Sequence, residues 1–132
     1  MYSQKSPGGS LFPYYYKGDE IHCLKYGGFL ANEEALLALM KAEEDFIIKT
    51  NHPLRIWVDF YETNRTDEVL VQFVENIGHL SNSMIKLAIV GFSFFDKIRF
   101  RKFAKKLGIK FSMPIKFFSD PEDAKTWLVC DS

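Results

Sequence analysis

Cysteine is scarce in this chain: Cys23 and Cys130 are the only two among 132 residues. Two thiols near opposite ends give neither a disulfide framework nor a Cys-x-x-Cys pair, so both are expected as free thiols in a reducing compartment. Apolar runs are short, none longer than a strand, and no membrane-spanning segment is expected. Met1 to Ser10 is polar and glycine-containing, without the apolar stretch of a signal peptide, which makes the cytoplasm the expected location. Net charge is missing as well. Lys plus Arg and Asp plus Glu number 17 each, which argues against a general electrostatic affinity for nucleic acid. The three histidines, His22, His52 and His79, stand at no metal-binding spacing. No Walker loop, nucleophile elbow or dinucleotide-binding glycine pattern occurs. Neither a cofactor nor a metal is expected.

What the chain does have is apolar mass. Hydrophobic residues make up 47% of it and phenylalanines number 13, enough for the core of one ordinary domain. Residues 1–11 read as a flexible tail, because Pro7, Gly8 and Gly9 leave nothing periodic to bury; residues 12–132 read as a single domain. Two aromatic-rich strands, Leu11 to Tyr16 and Ile21 to about Lys25, flank a turn at Lys17-Gly18-Asp19-Glu20. Asn32 caps a first helix carrying Leu36, Leu39, Met40, Phe46 and Ile47. The run Leu54-Arg55-Ile56-Trp57-Val58-Asp59 is a strand leading through a polar loop to a helix at Thr66, with Val69, Leu70, Phe73, Val74, Ile77 and Leu80 at three- and four-residue spacing. The same format recurs twice: Lys86 to Gly91 before a helix from about Phe94, and Ile115 to Phe118 before Pro121. In the third helix Ile98, Phe103 and Leu107 are expected to face inward, with Gly108 as its stop. The order is β-β-α-β-α-β-α-β-α. It predicts an α/β domain with a mixed, mostly parallel sheet of four or five strands and its N-terminal hairpin at the edge. Trp57, Val58, Ile89 and Val90 are expected to be buried in covered strands.

Three stretches resemble a known family: Arg55-Ile56-Trp57-Val58-Asp59, Lys86-Leu87-Ala88-Ile89-Val90-Gly91, and Lys116-Phe117-Phe118 followed by Glu122-Asp123-Ala124-Lys125-Thr126-Trp127-Leu128. Over about residues 12–129 the pattern is similar to the STAS group, the sulphate-transporter and anti-sigma-factor-antagonist domains, and within it to the stage II sporulation AA-like branch. The resemblance implies a β/α superhelix with strands in near-sequential order. It also implies work through binding of partner proteins, nucleotides or apolar ligands rather than catalysis. In anti-sigma-factor-antagonist members a Ser or Thr opening the helix after the third strand is phosphorylated. Here Thr63-Asn64-Arg65-Thr66-Asp67-Glu68 stands where that family carries an Asp-Ser-Ser-Gly-like start. Thr66 is the positional match, with Thr63 beside it.

The residues themselves suggest several surfaces. Thr66 serves either as an N-cap or as a regulatory hydroxyl at the positive end of a helix. The loops at the strand carboxyl ends would gather Asp59, Tyr61, Ser93 and Asp120 into a binding rim. Asp59 there either ties its own loop or joins Asp120 in an acid/base pair. The third helix carries Lys97, Arg99, Arg101, Lys102, Lys105 and Lys106 against one acid, Asp96. That face is either solvated or docks an anionic partner. It stands out because residues 1–66 hold seven basic against nine acidic groups, and residues 67–132 hold ten against eight. Consecutive Tyr14, Tyr15 and Tyr16 cannot all point inward and would offer an edge for a homodimer or a ligand. The expected function is a non-catalytic binding or regulatory module acting on a protein partner. The alternatives are a binder of apolar or anionic small molecules, nucleotides included, and an enzyme using the rim carboxylates.

Overall fold

The computed structural model describes residues 4–130. Its strands are β1 (Gln4–Lys5), β2 (Leu11–Phe12), β3 (Tyr14–Tyr16), β4 (Asp19–Lys25), β5 (Leu54–Asp59), β6 (Met84–Val90) and β7 (Ile115–Phe118). Its helices are α1 (Glu33–Thr50), α2 (Asp67–Leu80), α3 (Phe94–Lys106) and α4 (Pro121–Leu128). Strands β3 to β7 form one sheet in sequential order. The β3–β4 pair is antiparallel and the other three pairings are parallel, as strand–loop–helix units require. Lys17 and Gly18 both take positive φ, 49° and 92°, the twist that a two-residue hairpin needs. Among the described residues no helix is long and apolar enough to cross a membrane.

Alternation along the central strands sorts the side chains into two layers. Ile56, Val58, Leu87 and Ile89 enter the larger core, joined by Leu36, Met40 and Ile47 of α1, the whole apolar stripe of α2, and Phe100 and Ala104 of α3. Ala88 and Val90 turn the other way, onto Ala124 and Leu128 of α4. Three helices thus cover one face and α4 alone packs on the other. Each fully buried Leu, Ile or Phe of α2 contributes about 1.5–3 kcal/mol through removal from water. The lone helix α4 is held by cations from the strands beneath it. Lys86 Nζ donates to the carbonyls of Trp127 (2.8 Å) and Cys130 (2.6 Å), and Arg55 Nε donates to that of Leu128 (2.9 Å). These carbonyls lie at or just past the C-terminus of α4, where positive charge is favoured.

Four expectations change. The stretch Leu11 to Tyr16 is divided at Pro13, which has no N–H to give a ladder. Within the stretch read as a tail, residues 4–11 are tethered. Lys5 pairs with Leu11, and Ser6 Oγ and Gly8 N both donate to Glu43 Oε2 at 2.7 and 2.9 Å; Met1 to Ser3 lie outside the described residues. In α3 the inward residues are Phe100 and Ala104, with Phe103 partly buried, while Ile98 and Leu107 are exposed. Phe100 meets Phe73, Phe92 and Phe117, and that ring cluster fixes the rotation of the helix. Trp57 is only half-buried, because α4 covers just part of its face of the sheet.

Candidate functional site

The loops at the strand carboxyl ends are joined by main-chain bonds. After β4, Gly28 N donates to Tyr61 O (2.7 Å) and Leu30 N to Glu62 O (2.9 Å), while Asn64 N donates back to Leu30 O (2.8 Å). Gly27 permits this approach: a Cβ there would sit 2.6 Å from the Tyr61 carbonyl oxygen. Thr63 is a strut of the same junction. Its hydroxyl donates to Tyr26 O (2.7 Å) and accepts from Phe29 N (3.2 Å). At 4% exposure that hydroxyl is closed to a modifying enzyme, which removes Thr63 from the regulatory surface.

A charge network then ties the start of α2 to the start of α3. Arg65 Nε donates to Asp96 Oδ2 at 2.5 Å, and its Nη1 reaches the carbonyls of Phe60 and Thr63. Arg99 donates to Asp67 Oδ1, Asp96 Oδ1 and Arg65 O at 2.7–2.8 Å. Ser93 and Asp96 form a reciprocal cap on α3. Burial opposes ionisation of Asp96, yet the Ser93 N–H and the guanidinium groups of Arg65 and Arg99 outweigh it and hold the carboxyl below its usual range. Arg65, which adjoins Thr66 in the chain, is therefore already committed.

The remaining rim residues have assigned tasks. Asp59 Oδ1 accepts from Tyr61 N at 3.0 Å and Asp120 Oδ1 from Glu122 N at 2.9 Å, one tying a loop and the other capping α4. Thr66 caps α2, accepting from Val69 N (3.2 Å) and donating to the Glu33 carboxylate; its own residue is exposed. Around this frame stands a row of uncovered apolar side chains: Leu30 (61% exposed), Tyr61 (60%), Phe94 (69%) and Phe95 (72%). Sequence reasoning did not place Leu30 here, since one apolar residue after two glycines carries no period.

Below the rim, the part of the sheet that α4 leaves uncovered holds a cleft of about 520 Å3. Tyr14, Trp57 and Tyr61 wall it, with Lys25, Lys125 and Asp59 among its charged groups; Asp120 is not part of the lining. Lys125 sits 5.7 Å above the Trp57 ring. Cys23 also lines the cleft, and burial, followed by the nearby Asp59 charge, pushes its thiol up to about 12. At neutral pH it is a protonated, weakly nucleophilic group.

The basic helix divides by function. Arg99 belongs to the network just described, and Lys97 and Arg101 lie 5.6 and 5.2 Å over the Phe117 ring. Lys102, Lys105 and Lys106 are exposed. Among the described residues no cluster of His, Cys, Asp and Glu could hold a metal ion. In comparison with known proteins, the chain matches no family model, no curated protein and no solved structure.

Proposed function

We propose that this chain is a STAS-like binding module that docks a protein partner on the rim at the strand carboxyl ends. Two features favour the family: the sequential parallel sheet led by an antiparallel hairpin, and a threonine capping the helix after the first parallel crossover strand. The observation that carries the docking reading is the uncovered row Leu30, Tyr61, Phe94 and Phe95, mounted on loops that hydrogen bonds and ion pairs hold in place. A rigid edge presenting large aromatics loses little entropy on association. The rim carboxylates Asp59, Asp96 and Asp120 are spent on loops and helix starts, which supports binding over catalysis.

Thr66 gives the rim a means of control. A phosphate there loses the Thr66–Glu33 hydrogen bond and faces Glu33, Asp67 and Glu68, so modification would loosen the α1–α2 junction by repulsion. The test begins with a photo-crosslinking residue at position 95, and affinity is then measured for the captured partner in purified form. Phe94→Ser/Phe95→Ser should weaken binding at least tenfold with an unchanged melting temperature; equal affinity would refute the rim as the docking surface. A second reading, small-molecule binding, is favoured by the cleft beneath Trp57, and native mass spectrometry of freshly purified protein tests it.

A further inference from the structure

A groove on the far side of α3 has a chemistry that the rim does not use. It encloses about 410 Å3, within the range of small-molecule sites (about 300–1,000 Å3), between α3, the segment after it, and edge strand β7. Its apolar lining is Phe100, Ala104, Ile109, Phe111, Ile115 and Phe117. The positive φ of Gly108 (68°) turns the chain back, and Ile109 N donates to Ala104 O at 2.9 Å, so Ile109 and Phe111 close over the helix. Phe111 stacks on Phe100 with centroids 5.7 Å apart and planes 8° from parallel. Phe117 stands edge-on to Phe100 at 6.0 Å.

The charges around this groove are all of one sign. Arg101, Lys105 and Lys110 line it and no carboxylate does. The single acid of α3, Asp96, is consumed at the other end of the helix by Arg65 and Arg99. Arg101, Lys105 and Lys110 form no ion pair among the described residues. An apolar pit bordered by cations that no carboxylate neutralises suits a molecule with one apolar body and one negative head. The body removes the Phe and Ile surfaces from water, and the head meets the cations next to a low-dielectric floor, where attraction is stronger than in bulk water.

We infer that this groove binds a monomeric anionic amphiphile, an apolar chain ending in a carboxylate-sized anionic head, with the chain on Phe100, Ile109 and Phe117 and the head at Arg101, Lys105 and Lys110. The site is separate from the rim, and either can fail without the other. The probe is decanoate below its aggregation threshold, titrated by calorimetry and by methyl NMR, with decanol as the uncharged match. Decanoate should bind at one site, at least tenfold tighter than decanol, and should shift the methyl signals of Ile109 and Ile115. Arg101→Glu/Lys105→Glu should weaken decanoate at least tenfold while leaving the melting temperature and the decanol signal unchanged. Ala104→Phe, which fills the floor, should abolish both ligands; where that variant misfolds, the charge-reversal pair and the methyl shifts still decide. Equal affinity for decanoate and decanol, indifference to charge reversal, or methyl shifts confined to other regions would overturn the assignment. So would capture of the protein by phosphatidylglycerol vesicles without any binding of monomeric decanoate, since that outcome marks a basic surface rather than a pocket.

Discussion

A threonine hydroxyl has opposite consequences at positions 63 and 66. Buried, it joins two loops through the Tyr26 carbonyl and the Phe29 N–H; exposed, it opens α2 and reaches Glu33. Thr66→Ala removes the acceptor for Val69 N–H and the donor to Glu33, and should cost about 1 kcal/mol, read as a shift in the urea midpoint. An unchanged midpoint would mean that water replaces the cap without loss. Among the acids of α1 burial is most complete at Glu43. With no exposed side-chain surface, its carboxylate faces His22 Nε2 at 3.1 Å and accepts from Ser6 Oγ and Gly8 N. A buried carboxylate is tolerated when its oxygens are met, and here the N-terminal segment supplies two of the three partners. Its neighbour Glu44 is met by Asn76 Nδ2 (3.2 Å), His79 Nδ1 (3.1 Å) and Lys41 Nζ (3.6 Å).

The clearest contrast between elements is α2 with α3. In α2 the stripe Val69, Leu70, Phe73, Val74, Ile77 and Leu80 is buried as its spacing predicts. In α3 apolar residues fall on two sides, and basic residues interleave with both, so periodicity alone does not choose the rotation. The ring cluster around Phe73 and Phe92 chooses it by receiving Phe100. Phe100→Ala should therefore cost about 3–5 kcal/mol, whereas Ile98→Ala, at a site 46% exposed, should change stability by less than about 0.5 kcal/mol; the paired urea melts check this. A larger loss from Ile98→Ala than from Phe100→Ala would reverse the rotation. Strands β4 to β7, the turn at Lys17-Gly18 and the caps Asn32 and Thr66 were legible because each rests on local chemistry. Loop-tying by Asp59 was legible for the same reason. Partnerships across the sheet were not: Lys86 and Arg55 on the carbonyls ending α4 lie 41 to 73 residues from them, and a lone basic residue in a strand carries no sign of that role. The committed state of Arg65 was hidden likewise, since Asp96 is 31 residues away.

Across the whole molecule, proton equilibria bound the pH range over which the two layers stay together. On the acid side Asp96, held below its ordinary 3.8, binds fewer protons folded than unfolded. Its contribution is present above that value and is lost as pH falls through the depressed one. On the alkaline side the sign reverses. Cys23 rises from 9.0 to about 12 through burial and the Asp59 charge. Tyr26 is raised well above 10.0 by burial and the charges of Glu43 and Glu44. For both groups the folded chain keeps a proton that the unfolded chain releases. Their stabilisation is full below the unfolded values and drains away as pH climbs toward the folded ones. Cys23 lines the open-face cleft and Tyr26 lies in the three-helix layer, so alkali attacks both sides of the sheet. Urea unfolding at pH 8, 9, 10 and 11 should show stability falling from about pH 9 onward. Cys23→Ala should make that decline shallower without abolishing it, since Tyr26 remains. A decline equally steep in Cys23→Ala would show that the thiol ionises as readily in the fold as in the open chain.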